Sequence, residues 1–379
     1  MLLVGMMTLA RAESPDRADP FGPQVVWAPI IEIRGRLDLE GTPVPDIQTV
    51  GQVARVGLQA QRGILSARVS LQEVREWAAN PQGTELSGPL TVELAEGWAR
   101  LDGELSPNVG ARLTIGRQHI QICQGRLVGR RDWDLEGQFL DAMRFELMAA
   151  PLSFELVNAR RLEVDADEDP LSLGVTVLRL GVQRSGANAE VTLDLLSVVD
   201  ARRTSVVTST TGFFGSVAMG RVLGEGEGYL QQNPEGTGSL ASGEFGYILG
   251  ENRGWVVTAR YTSASGDPGV NGLAAFQPVL GDTHDQYGLL DVLQPGDDSR
   301  GLADIAIRAE AQAGARVQIT GQLHRLGSPL TRATYGYEAD LSLTWHVTPY
   351  ASVDLGGGVI AGGELGLRTG GYTQIAVAF

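Results

Sequence analysis

Four histidines, His119, His284, His324 and His346, are the residues of this chain with the widest chemical repertoire. A Ser/His/Asp relay or a metal centre would need at least one of them inside a supporting constellation. The sequence holds no G-x-S-x-G elbow, no H-E-x-x-H and no Cys/His ligand spacing. Asp282-Thr283-His284-Asp285 alone has the look of metal chemistry, and one such tetrad is a weak signal. Gly129-Arg130-Arg131-Asp132 could face an anion, but it lacks the glycine spacing and following helix of a phosphate loop. The acidic stretch EVDADEDP, residues 163 to 170, lacks the spacing of a calcium-binding loop and reads as a solvated turn. No catalytic residue, metal site or cofactor is expected. With Cys123 as the only cysteine, no disulfide framework is available either.

The elements that carry these residues have a period of two. Segment 336 to 347 sets Tyr337, Ala339, Leu341, Leu343, Trp345 and Val347 against Glu338, Asp340, Ser342, Thr344 and His346. Segment 316 to 324 alternates in the same way, with Val317, Ile319, Gly321 and Leu323 against Arg316, Gln318, Thr320, Gln322 and His324. Trp255 to Thr262, Asp304 to Gln312 and Leu65 to Gln72 follow suit. Such strands of roughly 9 to 12 residues exceed the usual ~5 to 6 and match the ~9 to 11 needed to cross a bilayer at a tilt. Aromatic residues such as Tyr337 and Trp345 stand near opposite ends of one apolar face, where interfacial girdles would put them. Fifty glycines and the polar connections NPEGTGS (233 to 239), SASGDPG (263 to 269) and QPGDDSRG (294 to 301) supply the turns. The predicted fold is all-β, a transmembrane antiparallel up-and-down barrel of roughly 16 to 18 strands at ~20 residues per strand and turn.

Composition narrows the surroundings. A net charge of −15 and the lack of any basic block argue against nucleic acid as a partner. All 30 basic residues are arginine, which a GC-rich genome explains and which would also suit carboxylate recognition. The opening MLLVGMMTLARA couples a short apolar run to a small-x-small triplet, so residues 1–12 read as the end of a clipped secretory signal and 13–379 as one barrel domain. No window approaches the ~20 apolar residues of a membrane helix. An export signal without such a helix leaves the periplasm, the outer membrane or secretion, and the long strands favour the bacterial outer membrane, with a monomer in contact with its lipid. The final segment GGYTQIAVAF puts Thr373, Ile375, Val377 and Phe379 on one face of a last strand. A terminal phenylalanine so placed resembles the signal read by the outer-membrane barrel assembly machinery.

A longer pattern then stands out. GRQHIQICQGRLVGRRDWDLEGQFLDAMRF, residues 116 to 145, resembles the signature of the alginate-export family of outer-membrane porins. Gly116-Arg117-Gln118, Gly125 to Gly129, Asp132-Trp133, Gly137, Asp141-Ala142 and Arg144 stand at matching places. Upstream, LSARVSLQEVREW (65 to 77) is similar to another family strand; downstream, THDQYGLLDV (283 to 292), with His284, Gly288 and Asp291, and GLAD (301 to 304) are similar to two further segments. Gln138, Leu140, Asp285 and Gln286 depart from the pattern, and two basic positions are lost with them. The resemblance implies an 18-stranded conduit for an anionic polysaccharide, without catalysis. A general small-solute porin is the nearest alternative, and an outer-membrane enzyme or sugar-binding surface protein a more distant one.

Alternation and motif together nominate the pore-lining residues: Arg68, Arg117, Arg126, Arg144, Arg260, Arg308 and Arg316, with Asp304, Glu310, Glu338 and Asp340. The lumen they describe is mixed in sign. The phase slips near Arg117, and Met143, Phe145 and Leu147 put Asp141 on the outward face. The stretch GRLVGRRDWDLEGQFLDAMRF (125 to 145) reads as the end of one strand, a polar connection and the start of the next, its arginines either lining the pore or neutralised by neighbouring aspartates.

Overall fold

The structure is a computed structural model, and it describes residues 24–41, 45–78, 92–160, 174–203, 206–250, 254–267, 269, 272–284 and 286–379. The signal-like residues 1–12, the acidic stretch 163 to 170 and Asp285 lie outside the described residues. The strands are β1 (Val26–Gly41), β2 (Pro45–Arg62), β3 (Leu65–Ala78), β4 (Val92–Ser106), β5 (Val109–Gln118), β6 (Leu140–Ala149), β7 (Leu152–Arg160), β8 (Gly174–Ser185) and β9 (Ala189–Arg203). They continue as β10 (Val206–Met219), β11 (Val222–Asn233), β12 (Gly236–Leu249), β13 (Trp255–Ala264), the two-residue β14 (Gly272–Leu273), β15 (Leu302–Ala313), β16 (Val317–Gly327), β17 (Thr334–Thr348), β18 (Ala351–Ala361) and β19 (Arg368–Ala378).

Each long strand pairs antiparallel with its sequence neighbours, and β1 pairs with both β2 and β19, so 18 strands close into an up-and-down barrel. β14 stands apart from the wall and pairs parallel with the start of β12. Closure leaves no unpaired edge, which is what a sheet needs where no water can satisfy backbone groups. At the seam, Phe379 donates its N–H to the Ile31 carbonyl at 2.8 Å and stacks on Tyr350 with its ring outward.

The alternation read from the sequence sorts the two faces. Tyr337, Leu341 and Trp345 of β17 are exposed on the outside, whereas Glu338 and Asp340 between them are buried inside. The eight steps from Tyr337 to Trp345, at ~3.4 Å each and a tilt of ~40°, give an apolar band about 21 Å tall, close to the ~25 Å of membrane barrels. Turns at one end are tight, as at residues 63–64, 107–108, 150–151, 220–221 and 349–350. Gly63 and Gly220 take the left-handed backbone there, with φ of 56° and 61°. At the other end, among the described residues, two long connections, within 119–139 and 265–301, fold into the lumen.

Their apolar residues form the core. Ile120, Ile122, Leu127 and Val128 of the first segment and Phe276, Val279 and Leu280 of the second pack on inward-facing Val157, Val175, Val177, Leu196, Val198 and Phe214. This corrects the strand-connection-strand reading of residues 125 to 145. β5 ends at Gln118, the chain turns inward, and the apparent slip of phase near Arg117 is Ile120 and Ile122 entering this core.

Candidate functional site

The two inward segments are joined by backbone. Leu280 donates to the Leu127 carbonyl and Gly129 to the Leu280 carbonyl, each at 2.9 Å, and Asp282 N–H reaches the Gly125 carbonyl at 2.9 Å. Gln138 ties the joint from within: its buried side-chain amide donates to the Gly129 carbonyl at 2.7 Å and the Leu280 carbonyl at 2.9 Å. A guanidinium at this position could not fit so compact a bridge without burying an unpaired charge.

Three side-chain contacts then fasten the joined segments to the wall. Arg126 is fully enclosed, paired with Glu227 of β11 and donating to the Tyr287 hydroxyl at 2.6 Å; Tyr229 donates to the same Glu227 at 2.8 Å. Burial alone would favour a neutral guanidine, but Tyr287 and Glu227 outweigh it and hold the Arg126 pKa above the ordinary arginine value. Burial pushes the Tyr287 phenol up, so it stays a neutral acceptor here. On β1, Arg34 donates to the carbonyls of Asp132, Asp134 (2.7 Å) and Leu135 (3.1 Å), and Arg36 to that of Trp133. Trp133 is held on both faces, with His284 stacked at 3.8 Å and the Arg36 guanidinium 4.4 Å from its centroid, and Tyr372 meets its edge. His284 in turn is bonded to Asp291.

The third fastening lies under residues 286–291. Leu290 N–H donates to Glu338 at 2.9 Å and Leu289 N–H to Asp340 at 3.3 Å, while Arg260 grips the Gln286 carbonyl and stands 3.6 Å from Asp304. His324 is bonded to Asp304 at 3.0 Å. Gly288, at φ 106°, lies against the Glu338 carboxylate where a Cβ would collide. Leu290 reaches the inner faces of β18 and β19, where a Cβ at Gly370 would stand 2.7 Å and one at Gly358 3.2 Å from its side chain.

On the opposite arc the wall is wet. Arg68 pairs with Glu96 at 2.7 Å, Arg112 with Asp102 at 2.6 Å, Arg144 with Glu155 at 2.7 Å, and Arg179 with both Glu155 (3.2 Å) and Asp194 (3.3 Å). These four arginines are 19–29% exposed although they point inward, so water enters the barrel here. Arg308 and Glu310, bonded at 2.8 Å, are also inward and wet.

Several nominated residues therefore sit elsewhere than expected. Arg117 is on the outer face, bonded to Asp141 at 3.2 Å and to the Leu94 carbonyl, because it shares the phase of Leu113 and Ile115. Arg126 does not line open water, being enclosed in the clasp with Glu227. Arg316 lies in the turn before β16, exposed at the tight-turn rim. Asp304, Glu338 and Asp340 do point inward, yet at 0%, 1% and 8% exposure they are covered by the second segment rather than by solvent. Arg68, Arg144, Arg260, Arg308 and Glu310 point into the barrel. The motif residues Asp132, Trp133, His284, Gly288 and Asp291 converge on the clasp; Gly116, at φ 119°, lets β5 approach the Gly97 carbonyl, and Asp141 braces the outside. Missed altogether were Arg34, Arg36, Arg55, Glu227 and Tyr287, although IEIRGRLDL already put Arg34 and Arg36 on one face of a strand.

No protein-family model matches the chain, and no curated protein matches it. Solved structures do. The outer-membrane protein OpdK of Pseudomonas aeruginosa superposes with a TM-score of 0.68 over 95% of this chain and 99% of that one, at 10% identity. OpdK with vanillate gives 0.66 at 10% identity over 95% and 99%, and OpdO of the same organism 0.61 at 12% identity over 93% and 97%. The fold is that of outer-membrane porins.

Proposed function

We infer, from a barrel that shares its fold with outer-membrane porins, that the protein is a passive channel of the bacterial outer membrane for small polar solutes. The carrying observation is the wet inner arc. A membrane barrel that keeps Arg68, Arg112, Arg144 and Arg179 within reach of water, each against a carboxylate, offers a polar path without a fixed excess of either sign. The tight-turn end faces the periplasm and the loop end the exterior, as short and long connections usually divide. We take the protein to act as a monomer and Phe379 to be the mark read by the barrel assembly machinery.

The resemblance to alginate-export porins supports a related clasp, since Trp133, His284, Gly288 and Asp291 meet there. It gives weaker support to a polyuronate cargo. A polyanion needs unneutralised cations along its track, and here the lumen arginines carry acid partners while two segments narrow the way. A catalytic reading has no support from His119, His284 and His324, each engaged in bonds that hold the inner segments or the wall.

Conductance in planar bilayers, with reversal potentials under a KCl gradient, tests the reading. Stable unitary steps with weak selectivity, leaning to cations as the −15 charge suggests, are expected. Absence of conductance would sink the channel; strong anion selectivity with block by polyuronate oligomers would restore the polysaccharide cargo.

A further inference from the structure

A cavity lies on the loop side of the clasp. It has about 330 Å³ and is lined by Arg131 and Gln138 of the first segment, Gln277, Thr283, Gln294 and Asp297 of the second, and Arg202 of β9. That volume falls at the small end of the ~300–1,000 Å³ of small-molecule sites. Unlike the core beside it, this cavity is walled mainly by hydrogen-bonding groups.

Its charges cancel. Arg202 is held by Asp200 at 2.8 Å and donates to the Val279 carbonyl at 3.0 Å. Arg131, whose left-handed φ of 50° is uncommon for a side-chain-bearing residue, has Asp134 at 3.8 Å. Asp297 adds one more carboxylate, engaged with the Gln294 N–H at 2.8 Å. Two guanidinium groups against three carboxylates leave no excess of positive charge for an anion. The neutral groups are the open ones. The side-chain amides of Gln277 and Gln294 have no hydrogen-bond partner among the described residues, although the Gln277 backbone is fixed at both ends by Gln231, at 2.9 and 2.8 Å. Each amide presents two donors and an acceptor, and the Thr283 hydroxyl presents both.

We propose that this cavity is an entry subsite for an uncharged, polyhydroxylated solute of about monosaccharide size. Hydroxyls, which donate and accept together, match unpartnered amides and a half-exposed guanidinium better than a carboxylate or an ammonium would. The backbone anchoring of Gln277 and the bridge through Gln138 fix the walls from which these amides reach, which lowers part of the ordering cost of binding. The inference rests on the channel reading, since the subsite stands at the mouth of the lumen.

Glucose, gluconate and glucosamine, added from the loop side to the full-length channel in a bilayer, serve as neutral, anionic and cationic probes. Glucose is expected to interrupt the current at lower concentration than the other two. Loss of one or two hydrogen bonds of ~1 kcal/mol each in the Gln277→Ala, Gln294→Ala variant should raise the half-blocking concentration at least about five-fold, scaled to that variant's own open current. Stronger block by gluconate, or an unchanged half-blocking concentration in the variant, would overturn the subsite while leaving the channel. Saturation-transfer NMR of glucose on the detergent-solubilised barrel reads the cavity without conduction. Transfer lost in the variant upholds the subsite even if no current is seen; no transfer to the native barrel rules it out.

Discussion

Two arcs of one inner surface meet opposite fates. From β3 to β8, inward arginines pair along the wall and keep contact with water; on β15 to β17, inward Asp304, Glu338 and Asp340 are covered by the second inner segment, and of the inward charges there Arg308 and Glu310 stay wet. Both arcs obey the same alternation. What separates them is whether a second piece of chain lies on top, and the consequence is a division of labour. Exposed pairs can shape the field felt by a passing ion, whereas buried pairs hold the object that narrows the passage.

The contrast is sharpest in stability. Arg126→Ala leaves Glu227 buried without its partner, which should cost about 3–5 kcal/mol and free the inner segments. Larger, noisier unitary currents and new protease cleavage within 119–139 are the expected readouts. The loss on the wet arc, Arg144→Ala, should cost less, about 1 kcal/mol, because buried Glu155 keeps Arg179 at 3.2 Å. Equal effects from the two variants would erase the distinction.

Acid should act on the covered side first. Burial, then the charges of Arg130 and Arg55, hold the His119 pKa down to about 3, and its ring bonds the Gln138 carbonyl at 2.9 Å. A histidine neutral in the fold contributes fully above its unfolded pKa of ~6.5, and that contribution is lost as pH falls from there toward the folded value. Each unit of acidification in that window costs up to about 1.4 kcal/mol, so current noise should rise below about pH 6 and flatten in His119→Phe. An identical pH profile in the variant would remove His119 from the account.

Backbone substitution gives a smaller effect. Gly288→Ala combines a φ of 106° with a collision at the Glu338 carboxylate and should cost about 1–3 kcal/mol, read as a lower melting temperature with increased conductance. Smallest is the selectivity change expected on the wet arc. Glu155→Gln removes the carboxylate between Arg144 and Arg179, so the reversal potential should move toward anions by a few millivolts with stability altered by less than about 1 kcal/mol. An unmoved potential would mean that ions do not pass this arc.

Period-two alternation and strand length made the barrel legible, because the bilayer imposes both directly on local sequence. The clasp was half legible. The motifs singled out Trp133 and His284 but not their meeting, because that contact joins segments far apart in the chain, which no local period encodes. A signal for the covered arc does exist in retrospect. β8 and β9 are apolar on both faces near their loop ends, with Val175, Val177, Leu196 and Val198 inward and Leu178, Leu195 and Val199 outward. A wall facing water on one side has no use for such residues, so two-sided hydrophobicity marks where something packs inside. Arg117 and Arg316 were misplaced for simpler reasons: Ile120 and Ile122, which enter the inner core, made the phase of Leu113 and Ile115 look broken at Arg117, and Arg316 stands in the turn before β16, where no face is defined.

Leu290 rests where β18 and β19 carry glycine: a Cβ at Gly370 would stand 2.7 Å from its side chain and one at Gly358 3.2 Å, so anything larger there would crowd it. The wall there is a negative mould of one side chain. A larger side chain at Gly370 would press on Leu290 and through it on the inward segment. The width of the passage is therefore written partly in the wall, at glycines that leave room for one leucine.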